Sequence, residues 1–177
     1  MSTKLKGDVS EAMVVAELLK NNYNVLIPVG DRLAYDIAVD IKGQLVRIQV
    51  KSAWFNDKSK NWVCFLKKTL TNSRKIKRKN YSIDEIDFII AVIQERNEFF
   101  IIPFSKCAHY KSEINLITFQ TRQRVFSFKE NINCWNLLKD FRGLSEEESS
   151  DETCQIRGSL NYDNPEPSTG DSEGVET

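Results

Sequence analysis

The sequence predicts an α/β domain over residues 1–143, a mixed β-sheet flanked by helices, followed by a disordered acidic C-terminal tail over residues 144–177. The prediction rests on three features. An amphipathic helical pattern opens the chain, and segments that alternate polar with apolar residues follow it. Two continuous apolar runs, Phe88–Ile93 and Phe99–Pro103, then have the length and composition of strands covered on both faces. A chain of 177 residues has room for one well-packed domain.

The first helix is expected from about Gly7-Asp8 to Asn21, with Asp8 or Ser10 serving its first turn. At 100° per residue, Val9, Ala12, Met13, Ala16 and Leu19 form one apolar stripe. Val14, Val15 and Leu18 form a second, with Glu11 at its N-terminal end. Ser10, Glu17 and Asn21 mark the solvent face, so Glu11 lies off it. A carboxylate so placed either complements the helix dipole or is used by something nearby. Asn24–Pro28 reads as a short strand closed by its proline. Tyr35–Asp40 and Leu45–Lys51 alternate with period two and read as half-buried strands, and Gly43 in the link between them suggests a tight hairpin. Trp62–Leu66 is the next strand and residues 67–81 a basic loop. Phe88–Ile93 and Phe99–Pro103 form a hairpin joined by Gln94–Asn97. Arg124–Phe128 is a late strand, and Asn133–Phe141 a closing helix.

The first hairpin carries the chemistry. If Lys42 and Gly43 form a two-residue turn, residues whose numbers sum to 85 oppose one another, and Asp36 faces Gln49. Lys51 points the same way, about 7 Å further along the strand. A three-residue loop would flip this parity, and a four-residue turn would keep the shared face but displace the pair by one step. With the two-residue turn, a carboxylate, an amide carbonyl and an ammonium converge on one face. Such a set can hold a divalent metal and activate a water molecule.

The formal net charge of zero conceals a division. Residues 1–143 hold 24 Lys/Arg against 15 Asp/Glu, and residues 144–177 hold one Arg against ten acids. A basic body with an acidic, Ser- and Gly-rich tail suggests a polyanion-binding domain with a disordered appendage, one that could compete for the basic surface. Arg74-Lys75-Ile76-Lys77-Arg78-Lys79 places five cations in six residues beside Lys67 and Lys68, and Lys58 and Lys60 follow the Lys51 strand. The four Cys form no CxxC pair and there is one His, which argues against a structural zinc site. With no signal peptide and no apolar run of membrane-spanning length, a cytoplasmic protein with free thiols and no membrane partner is expected.

Five ordered segments carry a resemblance: Leu5-Lys-Gly7 before the Glu11 helix, Val25–Pro28, Tyr35-Asp36, Arg47-Ile-Gln-Val-Lys51, and Ile86–Ile90 with Ile102-Pro103. They resemble the PD-(D/E)XK nuclease superfamily, in particular its group I intron-associated homing endonucleases, over roughly residues 4–140. Gln49 stands where the superfamily usually has Asp or Glu, and glutamine occurs there in the intron-associated branch. The resemblance implies a restriction-endonuclease-like core and Mg2+-dependent hydrolysis of phosphodiester bonds in double-stranded DNA, with Glu11, Asp36, Gln49 and Lys51 catalytic. It further implies that Asp36, Gln49, the carbonyl of Val50 and Glu11 hold the metal, and that Lys51 orients or deprotonates water. The cations at 58, 60, 67, 68, 74, 75, 77, 78 and 79 become DNA contacts, and cutting both strands implies a homo-oligomer, a dimer or tetramer. Two alternatives stay open. One is a restriction, repair or junction-resolving nuclease of the same fold; the other is an inactive DNA-binding module on that scaffold.

Overall fold

A computed structural model describes residues 2–30, 32–72, 75–116 and 127–141, with backbone only for 69–72 and 75–77. The expected tail over 144–177 and residues 124–126 of the expected late strand lie outside the described residues. Ser127 and Phe128 form a turn.

Helix α1 spans Thr3–Lys20, beginning four residues before the expected start. The reason is Ser2, whose hydroxyl accepts the Leu5 N–H at 3.3 Å and caps the first turn, with Gly7 inside the helix. Ten strands follow: β1 (Asn24–Leu26), β2 (Ile37–Ile41), β3 (Gln44–Ser52), β4 (Trp54–Asn56), β5 (Asn61–Phe65), β6 (Lys67–Asn72), β7 (Lys75–Asn80), β8 (Phe88–Ile93), β9 (Glu98–Pro103) and β10 (Glu113–Leu116). A one-turn helix, α2 (Phe104–Cys107), separates the last two.

The central sheet has the order β1-β2-β3-β8-β9, with β3 and β8 parallel and the other neighbours antiparallel. A three-stranded sheet, β10-β5-β4, and a two-stranded ribbon, β6-β7, complete the strands. The strands β8 and β9 are buried on both faces, as their uninterrupted apolar runs require. On one face Val14 and Leu18 of α1 pack with Ile37, Ile48, Phe88, Phe99 and Trp135. On the other, Ile89, Phe100 and Ile102 pack against Trp62, Cys64, Phe104, Ile114 and Leu116, so the small sheet and α2 cover that side.

Four expectations are corrected. The buried stripe of α1 is Ser10, Val14 and Leu18, while Ala12, Ala16 and Leu19 face solvent; Ser10 is a core residue, not a solvent-face one. Residues 67–81 are not a loop but the ribbon, with Lys67 paired to Asn80 and Asn72 to Lys75. Asn133–Phe141 does not form an α-helix. Asn133 at φ 52° and Cys134 at ψ 73° are both non-helical, and the 3-10 turn Trp135–Leu138 follows them. Cys64 and Cys107 are free and buried, whereas Cys134 is disulfide-bonded, against the expectation of free thiols throughout. No described helix is long and apolar enough to cross a membrane.

Candidate active site

The β2–β3 turn has the anticipated length. Lys42 at φ 53° and Gly43 at φ 80° form a two-residue turn of the I′ kind, and the Asp40 carboxylate accepts the Gly43 N–H at 2.8 Å. Ile37 therefore pairs with Ile48 and Ile41 with Gln44. Along β3, Val46, Ile48 and Val50 enter the core beneath α1, which leaves Arg47, Gln49 and Lys51 on the opposite face. The Asp36 N–H donates to the Ile48 carbonyl at 3.0 Å, extending the ladder by one residue so that Asp36 reaches Gln49.

The Asp36 carboxylate accepts the Val50 N–H at 2.9 Å and a hydrogen bond from Gln49 Nε2. Gln49 Nε2 also donates to the Val50 carbonyl at 3.1 Å. Half-buried Glu11 comes from α1, and Lys51 places its ammonium 5.2 Å from the centre of the Tyr81 ring. These side chains line a cleft of about 1170 Å³ whose other lining residues include Lys67, Lys68, Tyr81 and Glu85.

Their protonation equilibria show charges held away from water. Burial pushes Asp36 above the usual carboxylate range, against the pull of the Val50 N–H, Lys51 and Gln49. Glu11 is raised too, first by burial and then by the Asp36 and Asp8 charges. Burial lowers Lys51, although Asp36 and Glu11 favour its charged form. The Asp36 charge adds to the burial that raises Glu11, so the two carboxylates leave a local excess of negative charge that a bound cation would relieve.

The residues fit a hard divalent cation. Asp36 Oδ2 and the Val50 carbonyl both converge on one donor, the Gln49 amide nitrogen. A half-turn of that terminal amide would present its oxygen to the same point, and Glu11 adds a second carboxylate to the cleft. An all-oxygen set of this kind suits Mg2+ or Mn2+.

Not every expected contact joins this group. Lys67 and Lys68 line the cleft; Lys58 and Lys60 lie in the exposed β4–β5 turn, away from its lining, with Lys60 paired to Asp57 at 3.4 Å. Lys75 and Lys77 belong to β7; exposed Arg78 and Lys79 of the same strand lie beyond the cleft lining, and Arg74 lies outside the described residues. Two cleft residues went unnoticed in the sequence. Tyr81 lies under both Lys51 and Lys68, the latter 5.8 Å from its centroid, and Glu85 pairs with Lys68. Nothing in their local sequence marks them, because they reach the cleft only through the return of the chain from β7 into β8.

The fold and this geometry have counterparts among known proteins. A family profile described as "PD-(D/E)XK endonuclease" matches residues 1–137. Among solved structures, that of a bacterial homing endonuclease, I-Ssp6803I, matches with a TM-score of 0.73 and 36% identity, covering 84% of this chain and 100% of that one. No curated protein sequence matches.

Proposed function

The chain belongs to the PD-(D/E)XK endonuclease family, nucleases that act on DNA, and we propose that it is a Mg2+-dependent, site-specific endonuclease cutting double-stranded DNA as an intron-associated homing enzyme. The observation that supports this best is the gathering of Asp36, Gln49, Lys51 and Glu11 in one cleft. In this reading Asp36, Glu11, the Val50 carbonyl and the Gln49 amide oxygen hold the cation. When bound, Mg2+ supplies a Lewis acid and a water of raised acidity.

Lys51 does the remaining work at the reacting phosphate. Its lowered pKa makes proton exchange with the attacking water accessible, and in its charged form it stabilises the oxygens of the pentacovalent phosphorus. Water adds to phosphorus, one P–O bond breaks, and the leaving oxygen takes a proton. Lys67 and Lys68 on the cleft wall, with Arg78 and Lys79 on the ribbon, contact the phosphate backbone and fix register rather than sequence. Cutting both strands calls for two such sites, hence a homo-oligomer acting in the cytoplasm. Digesting a random-sequence duplex library with Mg2+ and sequencing the ends tests the proposal. Recurrent ends at one long motif support a homing enzyme. Ends restricted to junctions or nicks favour a repair or resolving role, and no cleavage with Mg2+ or Mn2+ favours a binding module.

A further inference from the structure

Glu11 and Lys51 are anchored in an unusual way. Among the described residues neither side chain has a hydrogen bond of its own, yet each directly adjoins a serine in sequence, and these two serines touch. Ser10, fully buried, and Ser52 approach to 2.8 Å between hydroxyl oxygens. Ser52 Oγ also donates to the Lys6 carbonyl at 3.1 Å. Gln94, the residue after β8, donates from Nε2 to the same carbonyl at 2.6 Å and to Ser10 Oγ at 2.8 Å.

These bonds admit one consistent direction. The Gln94 amide nitrogen carries two hydrogens and both are used, one on Lys6 and one on Ser10. Ser52 spends its hydrogen on Lys6, so Ser10 must donate to Ser52. The circuit starts at Gln94, ends at the Lys6 carbonyl and leaves no donor hydrogen idle. It ties α1 to the ends of β3 and β8, where Ser52 pairs with Val92. A part-buried network anchored on fully buried Ser10 holds its members in one arrangement, whereas packing alone would allow the helix to turn or slide.

We infer that Gln94, Ser10 and Ser52 form a positioning device that sets Glu11 against Lys51, with Gln94 as its source of donors. The inference rests on the nuclease reading. Rotation of α1 would move Glu11 relative to the Asp36–Gln49 pair without disturbing that pair, so the device governs metal affinity and rate but not DNA binding.

The test uses the full-length protein, with Gln94→Leu, Ser52→Ala and the conservative Ser52→Thr, beside Ile114→Val, which loosens the opposite core without touching the circuit. Single-turnover cleavage, duplex affinity without divalent ions, Mn2+ binding by electron paramagnetic resonance, and Tm are measured for each. Gln94→Leu and Ser52→Ala are expected to lose about 10–100-fold in rate or in Mn2+ affinity, with duplex affinity unchanged and Ser52→Thr near wild type. Should Gln94→Leu not fold, Ser52→Ala against Ser52→Thr carries the comparison. Losses no larger than those of Ile114→Val overturn the inference alone. A wild-type protein that neither binds Mn2+ nor cuts duplex overturns the nuclease reading, and this inference with it.

Discussion

Arg47 and Lys51 stand four residues apart on the same face of β3, and their surroundings are opposite. Arg47 is saturated. Its Nε and Nη2 donate to the two oxygens of Asp87 at 2.9 Å each, its backbone N–H donates to the same carboxylate at 2.8 Å, and Nη1 reaches the Asp84 carbonyl. The Asp87 hydrogen bonds raise the pKa of the guanidinium further. Lys51 has instead the face of Tyr81 and two carboxylates at longer range, and burial lowers its pKa. A bidentate pair that closes on itself supports a fold. A desolvated ammonium without such closure costs stability, and it remains available to exchange a proton or meet a phosphate.

This contrast can be broken by removing one member of each group. Lys51→Ala is expected to lower single-turnover cleavage by about 10²–10⁴-fold while leaving the fold intact by circular dichroism. Asp87→Ala should do the reverse. Leaving Arg47 without its partner is expected to cost about 3–5 kcal/mol in denaturant unfolding, with cleavage by the protein that remains folded much less affected. If Asp87→Ala is neutral in stability, the structural role given to that pair is wrong.

The pH dependence sharpens the contrast. The folded pKa of Asp36 lies above its unfolded value, so the unfolded state binds fewer protons and stability falls as pH rises through the window between the two. Above that window the cost is fully present. Metal-free Asp36→Asn should therefore melt higher than wild type near pH 7, and the gap should close as pH drops towards the ordinary carboxylate range. A gap that widens on acidification would contradict the stated cause of the shift. The smallest effect belongs to the ribbon. Replacing Arg78 and Lys79 together by Ala should reduce the slope of log K against log salt by about 0.9 for each phosphate no longer neutralised, and leave cleavage at saturating enzyme nearly unchanged.

Much of the site was legible because one turn settled it. The Gly43 turn and the alternation on both sides imposed the parity that pairs Asp36 with Gln49, and Lys51 followed two residues on. Glu11 was legible as a carboxylate off the solvent side of its helix. Ser10 was misread because a serine looks like a solvent-face residue until its distant partners are known, and Ser52 and Gln94 lie 42 and 84 positions away. The ribbon was misread because its Lys and Arg residues hide the strand-forming Thr69, Thr71 and Ile76 between them. Tyr81 and Glu85 could not be read at all, since their place in the cleft is set by long-range closure of the chain. The helical expectation over Asn133–Phe141 is replaced by the 3-10 turn Trp135–Leu138, entered through a left-handed Asn133 and a non-helical Cys134.

The central claim is that Glu11, Asp36, Gln49 and Lys51 act together as one metal-dependent site for phosphodiester hydrolysis. The most direct measurement is cleavage of a duplex by wild type and by Asp36→Ala, with Mg2+ and with a chelator, while DNA binding is followed in parallel. All four combinations are expected to bind the duplex, and wild type with Mg2+ alone to cut it. Cleavage by Asp36→Ala at the wild-type rate, or by wild type in the chelator, would contradict the claim.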